Sequence, residues 1–169
     1  MAEEQHLTTG KSLPRRVFTE PDFWLAFGFG SGLVPKMPGT AGTLAGVLLF
    51  YPLSYLHPFL YASVVLVAVI AGIYICGRVA LRLGQKDPGG IVWDEITGVW
   101  IALFMVPSGW YWLLGGFVAF RGFDIFKPWP VNWLDRELTG GFGIMMDDVV
   151  AGIYTLIVLQ GLNVIVNTV

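Results

Sequence analysis

The chain has 169 residues, 55% of them hydrophobic and only 13% charged, with ten lysines and arginines against twelve acids. Soluble domains carry roughly 25% charged residues, so a mean hydropathy of +0.67 excludes an ordinary water-facing surface. A net charge of −2 with no basic stripe excludes nucleic acid as a partner, and the single cysteine, Cys76, excludes an internal disulfide and a cysteine-based zinc site.

The first twenty residues are polar and charged, lack the apolar run of a signal peptide, and read as a mobile cytoplasmic tail. Residues 21–169 read as one domain. A membrane-spanning helix needs about 20 mostly apolar residues, within a range of roughly 17–25. Residues 40–56 form a short candidate closed by His57-Pro58, and 59–83 a long one whose last turns carry Arg78 and Arg82. Residues 94–106 are apolar after two acids and are broken by Pro107-Ser108-Gly109. Residues 110–123 lead back, and 146–166 make a final span.

The runs 37–77, 96–120 and 149–169 hold no Asp, Glu, Lys or Arg. All charge can therefore lie on one side of a bilayer, and with the N-terminus inside neither outer turn contains Lys or Arg, a full positive-inside bias. The expected fold is all-α, a polytopic membrane bundle of about five spans with a cytoplasmic N-terminus. Trp110, Tyr111 and Trp112 are expected to anchor the outer interface, and Phe23, Trp24, Phe27 and Phe29 the inner one. Arg78, Arg82 and the tail charges are expected only to set orientation and solvation. The rival reading is a very apolar soluble helical domain.

Four inner segments concentrate groups suited to phosphate or metal. The first runs from Gly28-Phe29-Gly30-Ser31-Gly32 through Lys36 to Gly39-Thr40-Ala41-Gly42-Thr43, where glycine backbone, a helix start, Lys36, Thr40 and Thr43 offer donors to an anion. Its spacing is not that of a Walker loop. The others carry Asp87 with Asp94-Glu95, then Arg121, Asp124 and Lys127, then Asp147-Asp148. Acids that open helices often serve only as caps and dipole partners. Two pairs joined by Asp87 and Asp124 on one face would repel one another without a counter-ion, and an oxygen-only donor set suits Mg²⁺ better than zinc. Adjacent residues diverge by about 100° on a helix, so both members of a pair need not reach one ion. Cys76 and Arg82 reproduce the Cys-x5-Arg spacing of thiol phosphatases, but inside an apolar span rather than in a phosphate loop. His6 and His57 lie away from the acids.

Gly39-Thr40-Ala41-Gly42-Thr43-Leu44, Asp94-Glu95, the string from Arg121 to Pro130 (RGFDIFKPWP) and Asp147-Asp148-Val149-Val150-Ala151-Gly152 together resemble the phosphatidylglycerophosphatase A family over roughly residues 22–160. Ala41 and Thr43 are the small departures from its pattern, and Thr43 keeps a hydroxyl. The resemblance implies a Mg²⁺-dependent enzyme of the bacterial inner membrane, with a cytoplasmic-face site, that removes the terminal phosphate of phosphatidylglycerophosphate to leave phosphatidylglycerol. On this reading Asp94, Glu95, Asp147 and Asp148 hold Mg²⁺ and the attacking water, with Asp87 or Asp124 as ligand or general base. Arg121, Lys127, Lys36, Thr40 and Thr43 bind phosphate. The alternatives are a phosphatase for another lipid phosphate and an ion-coupled transporter, which would place charge near mid-membrane.

Overall fold

A computed structural model describes residues 12–168, and within them every regular element is helical. Proline opens four helices, since its missing N–H is no loss in a first turn and its φ suits a helix start. These are α1 (Leu13–Thr19), α2 (Pro21–Ala26), α3 (Pro38–Leu53) and α4 (Pro58–Leu83). A 3-10 segment, Gly28–Leu33, joins α2 towards α3. His57 caps α4 through its ring, accepting the Phe59 N–H at 3.3 Å. The chain continues through α5 (Trp93–Ala102), α6 (Trp110–Phe126), α7 (Val131–Glu137) and α8 (Gly140–Thr168).

Helices α3, α5 and α8 run one way, and α4 and α6 the other. Glycines set how closely they pack. A Cβ on Gly141 of α8 would strike the Ile73 carbonyl and come within 2.7 Å of the Gly77 nitrogen on α4. On α5, a Cβ at Gly98 would lie 2.9 Å from the Asp148 carbonyl of α8. Such small-residue contacts bring backbones together where oily side chains on both sides would gain little by pairing. Polar side chains in the interior are spent on carbonyls of neighbouring helices. Trp93 Nε1 donates to Ala68 at 3.0 Å, Trp100 Nε1 to Gly46 at 2.9 Å, and the Tyr61 hydroxyl to Trp100 at 2.7 Å.

Two helices, α4 and α8, are long and apolar enough to cross a membrane. Their outer faces leave Leu66, Val67, Ile70, Ile157, Leu162 and Ile165 exposed. The span expected over 94–106 is shorter than the sequence suggested. Helix α5 has ten residues, about 15 Å at 1.5 Å per residue, half of a hydrocarbon core of roughly 30 Å. It ends at Ala102 because the chain tightens there into turns, Phe104 N–H to Ile101 and Val106 N–H to Leu103. The Gln160 amide of α8 donates to the Phe104 and Met105 carbonyls at 2.9 and 3.1 Å, satisfying backbone that no helix serves.

Three further expectations change. Of the segment 1–20, residues 1–11 lie outside the described residues, as does His6. Residues 13–19 are not a loose tail: they form α1, with Val17 fully buried. Arg82 is more than an orientation signal, because it donates to Glu20 at 2.5 Å and Asp22 at 2.7 Å and so ties α2 to α4. Arg78 also faces Asp22 at 3.8 Å. Phe23 and Phe27 are core residues rather than interface anchors, with the Arg16 guanidinium 4.0 Å from the Phe23 ring and Phe27 stacked on it, while Trp24 is exposed. At the other end Trp110 and Tyr111 are exposed but Trp112 is buried.

Gly141→Val should break the α4–α8 contact, because the obstructing atoms are backbone and cannot rotate away. The expected loss is about 1–3 kcal/mol or more, read as a lower melting temperature in detergent. Gly84→Ala, whose Cβ meets nothing within 4 Å, is the comparison and should lose only the strain of its left-handed φ.

Candidate active site

The first turns of α3 and α5, the charged last turns of α6 and the acidic part of α8 meet at one end of the bundle. Asp94 and Glu95 stand in the first turn of α5, and Asp148 lies more than two turns into α8, which begins at Gly140. One carboxylate oxygen from each of these three residues lies within 4.8 Å of the others. Helix capping does not explain them. The N-cap of α5 is Val92, without a side-chain bond, and Asp148 is too far inside its helix to cap it.

The electrostatics of the cluster are unfavourable as it stands. Asp94 Oδ1 and Glu95 Oε2 are buried with no hydrogen-bond partner, and like charges this close repel. A cation, Arg121 from α6, lies beside the cluster. Its Nη1 pairs tightly with Asp124 one turn on and stands 3.8 Å from Glu95 Oε1, while its Nε is buried without a partner. Asp124 in turn faces the Asp148 carboxyl. Arg121 therefore pairs with Asp124 and Glu95, and Glu95 in turn sits with Asp94 and Asp148. A hard divalent cation coordinated by oxygen would satisfy the orphaned atoms and offset the charge, so Asp94, Glu95 and Asp148 fit a metal of that class.

Gly39 brings a helix start to this cluster. A Cβ there would press on Glu95 Oε1 and lie 3.0 Å from Arg121 Nη1, so a larger residue would displace these two side chains from the first turn of α3. Met37 supplies no side-chain cap, and the first intrahelical bond is made by Ala41 N–H to Met37 at 3.1 Å. The preceding N–H groups of Gly39 and Thr40 are left without helical acceptors, beside the positive end of the α3 dipole. That is a seat for an anion next to Arg121.

The structure divides the other expected residues. Asp147 is turned away from Asp148, as helix geometry requires: its Oδ2 accepts from Lys127 Nζ at 3.0 Å and its Oδ1 from the Asp148 N–H at 3.0 Å. Asp87 is likewise outside the trio and lines a cavity of about 230 Å³ with Lys86, Thr139 and Asp147, whose wall Asp94 completes. Neither Asp87 nor Asp147 is among the three residues whose carboxylate oxygens lie within 4.8 Å of one another. Thr43 is not available to phosphate as a donor, since its buried hydroxyl is bonded to the Gly39 carbonyl at 2.8 Å. Lys36 is exposed and lines a separate cleft with Gln85 and Gly90. Thr40 stays beside Gly39 in the first turn of α3. Lys86 and Thr139 are additions that carried no signal in the sequence. Gly39 lay within the glycine-threonine segment expected to receive an anion, and the structure singles it out there.

Cys76 is fully buried within helical backbone of α4, which removes the thiol-phosphatase geometry.

A family model described as phosphatidylglycerophosphatase A matches residues 24–163. The chain is 45% identical over 150 residues to phosphatidylglycerophosphatase A of Escherichia coli K12, covering 88% of this chain and 86% of that protein. It is 43% identical over 155 residues to the Haemophilus influenzae protein of the same name, covering 90% and 95%. A Bacteroides thetaiotaomicron relative, provisionally named a phosphatidylinositol-3-phosphatase, is 41% identical over 140 residues, covering 78% and 87%. No solved structure matches the chain. With four-fifths of its length under one family model, and the carboxylates and Arg121 of the motifs gathered at one end of its bundle, the chain belongs to the phosphatidylglycerophosphatase A family.

Proposed function

We propose that this protein hydrolyses the terminal phosphate of phosphatidylglycerophosphate, giving phosphatidylglycerol and inorganic phosphate, with Mg²⁺ held by Asp94, Glu95 and Asp148. The observation that carries this reading is the trio of carboxylates, two with orphaned buried oxygens, beside a single guanidinium and a bare helix start. When bound, the cation would offset carboxylate charge, polarise a phosphate oxygen and make a water more acidic. The protein's own groups supply the rest. Arg121, whose Nε has no protein partner, and the N–H groups of Gly39 and Thr40 hold the phosphate oxygens. Asp124 lies against Arg121 and Asp148, placed to take the proton of the attacking water. As the new P–O bond forms and the bond to the glycerol oxygen breaks, that proton can pass to the departing alkoxide. Lys127 holds Asp147 and adds positive charge at the rim.

The bilayer places the substrate. Helices α4 and α8 cross it, α3 and α6, with 16 and 17 residues, cross at the lower limit of length, and α5 with the turns after it makes a broken fifth traverse. The N-terminus and the charged helix ends face the cytoplasm of a bacterial inner membrane, so the head group reaches the acids while its acyl chains stay in lipid. A second reading, hydrolysis of another lipid phosphate, is favoured by the name of the Bacteroides relative. The acids gather in one cluster toward one end of the bundle rather than along a path through it, which opposes a transporter.

Phosphate release by purified protein, measured over a panel of lipid phosphates, decides among these. Phosphatidylglycerophosphate should be the fastest substrate, chelator should abolish turnover, and Mg²⁺ should restore it. Equal rates on phosphatidic acid or an inositol lipid would move the assignment to the second reading. Asp94→Asn and Asp148→Asn should each lower kcat by about 10²-fold or more while the protein stays folded. In chelator, Asp148→Asn should also melt higher than wild type, by on the order of 1 kcal/mol, because one member of a repelling cluster is gone. A lower melting point for that variant would mean that the carboxylates are not in conflict.

A further inference from the structure

The segment that carries Arg121, Asp124 and Lys127 ends in an elbow between α6 and α7 whose outer side is aromatic. Phe126 is 86% exposed and Trp129 81%, with Ile125 and Trp133 also exposed. Water-facing loops do not gather such side chains without a partner. The elbow is not a loose loop. Lys127 closes α6 in the left-handed region with its N–H on the Phe123 carbonyl at 2.9 Å, and Val131 N–H bonds Pro128 at 2.7 Å. The Tyr154 hydroxyl of α8 donates to the Trp129 carbonyl at 3.0 Å, and Val131 is fully buried. The backbone is held, and the aromatic rings point out.

We propose that this elbow, residues 125–133, is a membrane-interface anchor. Phe126, Trp129 and Trp133 seat at the boundary between head groups and acyl chains, and so fix Arg121 and Lys127 at the depth of the lipid phosphates. Two observations name the bilayer as occupant. The exposed row on α6, Tyr111, Leu114, Val118 and Ile125, has spacings of three, four and seven, one helix face that runs straight into the elbow. Tryptophan beside basic groups is the side-chain pattern that favours an interface with anionic head groups, and Lys127 and the exposed Arg136 flank these rings. The inference rests on the membrane placement above but not on the identity of the substrate.

The test uses full-length protein in bilayers whose acyl chains are brominated near the ester end. The tryptophan emission removed by Trp129→Phe should be quenched at least twofold by the bromolipid and shielded from aqueous iodide. Quenching by iodide without quenching by bromolipid would place the elbow in water and overturn the proposal. In parallel, the double substitution Phe126→Ala, Trp129→Ala should raise KM for lipid phosphate in bilayers several-fold, with kcat and turnover of a short-chain, water-soluble analogue unchanged. Equal loss on both substrates, or a change of oligomeric mass, would show a folding role or a protein contact and would overturn it. The fluorescence measurement needs no turnover, so it fails or succeeds apart from the assigned reaction.

Discussion

Like-charge repulsion is the constraint on which this structure turns. Asp94, Glu95 and Asp148 bring carboxylate oxygens within 4.8 Å of each other, with Asp124 alongside. Left to itself such a cluster would fly apart or draw in water. It persists because the backbones beneath it cannot separate. Gly98 of α5 sits against the Asp148 carbonyl, and Gly152 of α8 against the Gly98 carbonyl, so α5 and α8 are locked at the level of the acids. The stability stored in that glycine packing offsets electrostatic conflict at the site, a common arrangement where binding rather than folding resolves the conflict.

The N-terminal helices act on the same place from the other side. Arg82 draws Glu20 and Asp22 onto the end of α4, and α2 then presents the Ala26 carbonyl to the Val92 N–H at 2.9 Å. Val92 is the residue before α5, two positions ahead of Asp94. A surface ion pair of this kind contributes little energy by itself, roughly 0–1 kcal/mol. Its value here is geometric, because it fixes where α5 starts and therefore where two of the three acids point.

Burial of α5 follows from its shortness. A ten-residue helix cannot cross a bilayer, yet most of its side chains are buried and its far end is finished by turns. Non-helical backbone among apolar side chains needs polar partners, and Gln160 provides them. The charge-free run 96–120 had looked like two plain traverses with a turn. It holds one short helix finished by turns and one full helix, because hydropathy reports how apolar a segment is and not whether its surroundings are lipid or protein.

The sequence by itself determined the all-helical class, the two long apolar helices, the gathering of charge at helix ends and the motifs of the family. These follow from composition and local spacing, which need no knowledge of neighbours. It also marked Asp94, Glu95, Asp124, Arg121 and Asp148, since acids and a guanidinium beside apolar runs have few other uses. Tertiary structure decided which acids share a space. Asp147 and Asp148 are adjacent in sequence but about 100° apart on α8, so one turns to Lys127 and the other to the trio. Tertiary structure also spent the Thr43 hydroxyl on its own helix, sent Lys36 to another cleft, and made Gly39 the point where α3 touches Glu95 and Arg121. Direction and distance between helices are set by packing, and no one-dimensional pattern of residues carries them.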